Sequence, residues 1–271
     1  MMPTKLPPGS FRLLPDGAPL RRFGVPPGGP FDRESFARAQ VLGCEIDTFE
    51  IGYFGAELEA AQSGCIAMAG ARRPAQLGDK SISANGIYPV HPGLTLRLGF
   101  PEVGVRSYVA FYPGRVLKAE QVFEQPESIA AAPLRVIAGP HAEHLDFPAF
   151  LRLRYHASTH LDRVGLKLAT CPSLRASKEF PSEPQCVGAI QVTPEGIPII
   201  IGPDGPTLGG YPKVAVVATV DHNRLAQIRP GQEITFEEVS IDAARGLLET
   251  QKVKDAKALA QLRALLSLLA F

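Results

Sequence analysis

Apolar positions fall along the chain in short runs, broken at close intervals by glycine and proline, and this pattern predicts strands over most of its length. Residues 10–23 read as a strand, a Pro-Asp-Gly turn at 15–17 and a second strand, and the prolines and glycines of 24–30 exclude regular structure. From Asp32 the period changes. Phe36, Ala39 and Val41 share a stripe between an N-cap at Asp32 and a stop at Gly43, which predicts a short helix. Strands follow at 46–54, 57–61, 65–70, 87–90, 94–98 and 105–112, spaced as in a barrel or sandwich. Residues 115–133 are polar and alanine-rich and end at Pro133, and they read as the connection between two halves, 1–132 and 133–271. The second half predicts strands at 134–138, 164–168, 187–192, 197–201, 214–220 and 233–239, with a short helix within 144–153. From Ile241 onward Ala, Leu and Lys recur at helical spacing, giving one or two C-terminal helices. The fold class expected is mainly β, with short helices and a helical C-terminal segment.

An internal echo supports two related halves: a Pro-Gly turn launches a strand both in Val90–Leu98 and in Ile228–Phe236. The composition agrees. Among 271 residues, 26 Gly and 26 Pro are spread along the chain and supply many tight turns, which favours β architecture over a helical bundle. A formal net charge of +1 provides no global field for nucleic acid or an anionic membrane, and neither is an expected partner. Cys44, Cys65, Cys171 and Cys186 include no C-x-x-C pair and read as reduced, mostly buried thiols. The first residues lack the apolar run of a signal peptide, and the longest apolar stretch is interrupted by Arg263, so a cytoplasmic location is expected.

Four constellations carry candidate chemistry. G-V-P-P-G-G-P-F-D at 24–32 sets a glycine-rich loop before a helix start, where freed N–H groups bind phosphate or carboxylate; a tight turn capped by Asp32 is the plainer alternative. Ser158, His160 and Asp162 alternate on one strand face, where neighbours point in parallel and do not converge as a catalytic triad requires. His141/His144 and His156/His160 have metal-pair spacings, yet no carboxylate motif accompanies them, and solvated or hydrogen-bonded histidines are the reading; no metal is expected. The densest segment runs from Ser182 to Lys213. Glu183, Gln191, Asp204, Thr207, Tyr211 and Lys213 are placed to face one pocket, and Gly209-Gly210 lets the backbone approach a ligand.

These motifs carry a family resemblance. G-V-P-P-G-G-P-F-D at 24–32, F-E-I-G at 49–52, G-V-R-S-Y-V at 104–109, L-R-V-I-A-G-P at 134–140 and D-R-V-G-L-K-L at 162–168 come first in order. S-E-P at 182–184, G-A-I-Q-V at 188–192, D-G-P-T-L-G-G-Y-P-K at 204–213 and L-A-Q-I-R-P-G at 225–231 follow. Together, over about residues 10–245, they resemble the family of the bacterial 5-oxoprolinase C-type subunit, KipA, allophanate hydrolase subunit 2 and the carboxyltransferase domain of urea amidolyase. The resemblance implies cyclophilin-like β-barrel halves and a KipI-like B-type subunit as partner. The chain departs from the family pattern at Leu161, where a serine is usual, and at Gly205, where an arginine is usual.

Three functions follow from the resemblance. The first is a C-type component of an ATP-dependent 5-oxoprolinase. It would act with the KipI-like B-type partner and a possible A-type partner on a small amide or carboxylate, with ATP used by the complex. Under it Lys213 or Arg163 pairs with carboxylate or phosphate, and Asp32 or Glu183 acts as general base. Thr207, Tyr211 and the N–H groups of Gly209 and Gly210 orient the amide, with Gln191 and Asp204 as companions in substrate binding. The second is a KipA-like regulatory component without activity of its own. The third is carboxyl transfer from carboxybiotin to urea or a related amide; the chain has no Met-Lys-Met attachment motif, so it would not carry the biotin itself.

Overall fold

The computed structural model describes residues 2–5, 11–13, 20–43, 47–115, 120–123, 133–168, 174 and 180–269. The chain forms two compact units, one of Met1–Pro15, Asp32–Ser128 and Lys252–Phe271, the other of Asp16–Phe31 and Ile129–Gln251.

The first unit holds β1 (Met2–Lys5), β2 (Phe11–Leu13), α1 (Arg33–Ala39), β3 (Thr48–Ile51), β4 (Ala56–Glu59) and β5 (Gly64–Arg72). It continues with β6 (Ala75–Leu77), β7 (Lys80–Ile82), β8 (Gly86–Val90), β9 (Thr95–Leu98), β10 (Val103–Pro113) and β11 (Gln121–Val122). They form two sheets, ordered β1-β4-β9-β6-β7 and β11-β8-β5-β10-β3-β2. The period of two sorts side chains between layers. Ile66, Met68, Val109 and Phe111 share a core with Leu58, Leu77, Leu96 and Leu98 of the other sheet. Cys65, Ala67, Ala69, Tyr108, Ala110 and Tyr112 face the opposite way, toward Phe36 and Ala39 of α1 and toward Leu259, Leu262 and Leu266. Each large apolar side chain so buried contributes roughly 1.5–3 kcal/mol.

Helix α1 begins as its sequence predicts, with the Asp32 carboxylate accepting from Ser35 N. It ends at Ala39, short of the expected stop at Gly43, because the Tyr112 hydroxyl donates to Ala39 O at 2.8 Å and satisfies its last turn. The second strand expected before residue 24 is instead a 3₁₀ turn, Arg21–Phe23, whose exposed residues pair with no strand and which closes at Gly24 (φ +82°). The turn at 15–17 lies outside the described residues. Within the expected connection 115–133, Gln121–Val122 pairs with β8 and Phe123 enters the core, while 116–119 and 124–132 lie outside the described residues.

The second unit holds β12 (Leu134–Ala138), α2 (Phe147–Arg152), β13 (Tyr155–Leu161), β14 (Gly165–Leu168), β15 (Glu183–Pro184) and β16 (Ala189–Val192). Then come β17 (Pro198–Ile201), β18 (Leu208–Gly209), β19 (Lys213–Val217), α3 (His222–Ala226), β20 (Glu233–Ile234) and β21 (Phe236–Glu238). Eight strands form one sheet, ordered β20-β13-β14-β17-β16-β19-β12-β21. Its two edges, β20 and β21, are separated in sequence by Thr235 alone, so the sheet curls round until its edges meet as a nearly closed barrel. Val136, Ile190, Ile200 and Val214 are in its core together with Phe150, which stacks on Phe236 at 4.7 Å. A separate two-stranded ladder, β15 with β18, pairs Glu183 with Gly209 and Pro184 with Leu208. The C-terminal segment is one helix, α4 (Ile241–Leu269), and no helix among the described residues is long and apolar enough to cross a membrane.

Candidate functional site

The site in the second unit is built by the order of its strands. Pairing β12 with β19 and β19 with β16 brings the end of β12, the start of β19 and Gln191 of β16 to one place. His141 follows β12. Its Nδ1 accepts from the backbone N–H of Lys213 at 3.0 Å. Lys213 heads β19 and is nearly buried, and its Nζ donates to Glu183 Oε2 at 2.7 Å. His141 Nε2 lies 3.6 Å from the same oxygen, and the imidazole packs on Phe180 with ring centroids 4.1 Å apart.

The glycines allow this close assembly. A Cβ on Gly209 would lie 2.8 Å from Gln185 Nε2 and 2.9 Å from Gln191 Nε2. Those two amides donate to the backbone, Gln185 to Gly209 O at 3.2 Å and Gln191 to Tyr211 O at 3.1 Å. A Cβ on Gly210 would meet Phe180 O at 3.3 Å. The Thr207 carbonyl accepts from Gln185 N, and Tyr211 is exposed at the rim.

The hydrogen bond from Lys213 holds the Glu183 carboxyl below its usual range. Burial lowers His141 from its ordinary value, against the opposing pull of Glu183. The cluster therefore presents an ionised carboxylate beside a neutral imidazole. One carboxylate oxygen is held by Lys213, whereas Oε1 accepts from no donor among the described residues. A carboxylate acidified in this way is a weak base but a good acceptor and a good counter-charge.

Arg163 and Asp204 make a second, distinct arrangement in the same unit. The guanidinium grips Asp204 through Nε at 2.7 Å and Nη2 at 2.9 Å, and Nη2 also donates to Gly29 O at 2.7 Å. Gly28 N donates to Pro203 O, and Gly28 and Gly29 both sit at positive φ. The glycine-rich loop is thus clamped to the Asp204 turn. Gly205 has no room for a side chain, since a Cβ there would lie 2.5 Å from Ile201 Cγ2 and 2.8 Å from Val164 O.

Of the expected site residues, Glu183, Lys213, Gln191, Thr207, Gly209, Gly210 and Tyr211 gather round the first arrangement, and Arg163 and Asp204 form the second. Asp32 belongs to the first unit, where its carboxylate caps α1 through Ser35 N and Ser35 Oγ. Beside it Tyr108 accepts from Asp32 N and donates to Glu50, whose other oxygen pairs with buried Arg106. Ser158 lies on β13, and the Asp162 carboxylate accepts from Val164 N and Gly165 N at the next turn. Sequence reasoning missed three contributors: His141, Gln185 and Phe180. The metal-like spacing of His141 and His144 was the one available signal; both rings in fact pack on Phe180. Among the described residues no group of three or more His, Cys, Asp or Glu could hold a metal ion. Cys65 is buried and Cys186 exposed, both free of disulfides, so the expectation of mostly buried thiols holds for one of the two; Cys44 and Cys171 lie outside the described residues.

A model of the carboxyltransferase domain, subdomain A and B, matches residues 23–124 and 114–238. The chain is 27% identical to the C-type subunit of 5-oxoprolinase from Haemophilus influenzae over 276 residues, covering 86% of this chain and 89% of that protein. It is 28% identical to urea amidolyase of Lachancea kluyveri over 85% of this chain, but only 16% of that enzyme. Among solved structures, K. lactis urea amidolyase superposes with a TM-score of 0.76 at 25% identity, over 92% of this chain and 19% of that one. Another solved structure is matched over 54% of its length, so the chain spans about a fifth to a half of these structures.

Proposed function

Because this chain belongs to the carboxyltransferase domain family, subdomains A and B, we propose that it is the C-type component of an ATP-dependent 5-oxoprolinase. In this reading it acts with a KipI-like B-type partner, and with an A-type partner, to open 5-oxoproline to glutamate. Support comes from a match that runs along most of both this chain and a protein named as one lettered subunit of 5-oxoprolinase, a name that implies further subunits. The observation that carries the chemistry is the Lys213–Glu183–His141 cluster against Gly209.

Water adds to the lactam carbonyl, whose oxygen gains negative charge. As the C–N bond then breaks, that charge is given up and the ring nitrogen takes the proton that the water released. Lys213 supplies the positive charge for the developing oxyanion, held by Glu183 in a nearly buried setting where such charge is worth more than in water. His141, neutral with its proton on Nε2, faces the Glu183 carboxylate at 3.6 Å. Of the two carboxylates expected as general base, Asp32 is engaged by the α1 cap, and Glu183, held ionised by Lys213, serves as acceptor and counter-charge rather than as a strong base. Thr207 and Tyr211 lie at the rim, suited to orienting the amide.

ATP enters as a substrate of the complex. Its triphosphate fits this chain's site poorly: Arg163 is paired with Asp204, the glycine-rich loop is held in its clamp, and the ionised Glu183 carboxylate stands beside Lys213. The proposal therefore assigns ATP to a partner protein and routes no step through it here. The test is reconstitution: with the A-type and B-type partners, ATP and 5-oxoproline, the chain gives glutamate, and Lys213→Met in the same complex gives at least about 100-fold less. A well-folded complex that yields no glutamate sinks the reading.

Carboxyl transfer is the second reading, favoured by the urea amidolyase match. In it the same cluster would hold a urea-type acceptor, with biotin brought by another chain. Carboxybiotin-dependent modification of urea by the chain is the outcome that selects it.

A further inference from the structure

We propose that Gln185 Oε1 is the acceptor for a ligand N–H, so that the niche at Gly209 takes a small amide or lactam by its nitrogen side. The inference deepens the reading above and rests on its amide substrate. Gln185 is almost wholly buried, and its Oε1 has no hydrogen-bond partner among the described residues. A buried acceptor without a donor is costly and is rarely kept without a role. Rotating the amide by half a turn would not relieve it, because Oε1 would then face Gly209 O, acceptor against acceptor. The bond from Nε2 to Gly209 O fixes which end is left open.

Position gives the orphan its meaning. Glu183 and Gln185 are two apart, and Gln185 N continues the β15–β18 ladder by donating to Thr207 O, so the two side chains share a face. Glu183 Oε1 also accepts from no donor among the described residues, so two acceptors stand near each other. Lys213 lies beside them, able to attract a carbonyl oxygen. Across the ladder Gly209 contributes no side chain, and the Gln185 and Gln191 amides lie where its Cβ would be. A ligand with an N–H next to a C=O, as in a lactam or urea, matches acceptor and cation in that order. Access comes from the ladder itself: β15 and β18 meet over two residue pairs outside the eight-stranded sheet, and Leu208 and Tyr211 on that strap are exposed. Binding requires that this strap open enough to uncover Oε1.

The test uses the full chain, calorimetry, and two probes: 5-oxoproline and its lactone counterpart, in which a ring oxygen replaces the N–H. The wild type is expected to bind the lactam about tenfold more tightly, as one hydrogen bond supplies. Gln185→Met, which fills the same space without the acceptor, brings the ratio within about twofold. Gln185→Leu is the second variant should the first fold poorly. Equal binding of the two probes by the wild type, no binding of either, or an unchanged ratio in a folded variant overturns the proposal. Lactam preference lost in Gln185→Met, with no glutamate from the reconstituted complex, sinks only the oxoprolinase reading. Glutamate formation with an unchanged ratio sinks only the role of Gln185.

Discussion

The backbone N–H of Lys213 donates to Nδ1 of His141 at 3.0 Å, and this one bond decides the state of the imidazole. With Nδ1 an acceptor, the neutral ring carries its proton on Nε2, the atom 3.6 Å from Glu183. A second proton would have to go to Nδ1, where it would expel the Lys213 bond.

The pH dependence of stability follows. Unfolded, His141 titrates near about 6.5; in the fold, burial lowers it, and nearby Lys213 and His144 act the same way against Glu183. Above about pH 7 both states hold a neutral ring, and the contribution is complete. As the pH falls through the unfolded value the unfolded chain takes the proton first, so stability declines until the folded value is passed. Thermal melts from about pH 8 to about pH 5 are expected to show this loss in the wild type and a smaller one in His141→Gln. Nitrogen NMR of the ring should report the Nε2–H tautomer at neutral pH; an Nδ1–H signal would contradict the geometry.

The Lys213–Glu183 pair is unequal, and its two halves should respond differently to removal. Lys213 has a side chain 8% exposed, Glu183 one 35% exposed. Glu183→Gln leaves an ammonium with little water and no counter-charge, whereas Lys213→Met leaves a carboxylate that water can reach. Melting temperature is therefore expected to fall further in Glu183→Gln than in Lys213→Met, although both lose turnover. The reverse order of melting temperatures would mean that the pair is solvated in both directions.

Gly209 is the position where a single methyl should do most harm in the site. Its missing Cβ lies within 2.9 Å of two amide nitrogens, each tied to a carbonyl. Gly209→Ala must displace both, at about 1–3 kcal/mol of overpacking, and is expected to weaken 5-oxoproline binding in the same calorimetric assay. Gly231, with open space round its Cβ, is the control for substitution at a glycine, though its positive φ adds strain of its own.

Much of this fold is legible in the sequence because its strands obey the period of two. Leu134–Ala138 is predicted and found with the same bounds, and Asp32 marks the start of α1 by its chemistry. The shortest strands leave no such trace: β15 and β18, two residues each, are defined by each other rather than by any pattern of their own. The site is less legible still. Lys213 and His141 are 72 residues apart and Lys213 and Glu183 are 30 apart, so their meeting depends on strand order. Glu183 and Lys213 stand out as chemical types, whereas Gln185 draws notice only once its carbonyl is found without a donor.

The thiols separate cleanly by environment. Burial pushes Cys65 up to about 11, so almost none of it is thiolate at neutral pH, and its side chain is inaccessible. Cys186 is exposed beside Gln185 on the segment that carries the site. Iodoacetamide treatment of the folded chain followed by peptide mass mapping is expected to label the Cys186 peptide and spare the Cys65 peptide. Labelling of Cys65 on the same timescale would show that the core formed with Tyr108 and Tyr112 opens readily.

Asp32 can be tested for structure and chemistry separately, because capping needs only an acceptor while proton transfer needs a carboxylate. Its Oδ1 accepts from Ser35 N at 3.0 Å and its Oδ2 from Ser35 Oγ at 2.7 Å. Asp32→Ala removes both and should cost about 1 kcal/mol, the usual loss for an N-cap. Asp32→Ser restores an acceptor and should recover most of that loss in denaturant melts. Turnover in the reconstituted complex then divides the two roles. A capping residue alone gives Asp32→Ser close to wild-type activity; a melt near wild type with activity lost would return Asp32 to the chemistry and demote Glu183. Tyr108→Phe is the companion measurement, since it keeps the carboxylate and strips the hydroxyl that accepts from Asp32 N and donates to Glu50. Two buried groups would each lose one hydrogen bond, so it should destabilise by about 2–3 kcal/mol, more than removal of the cap.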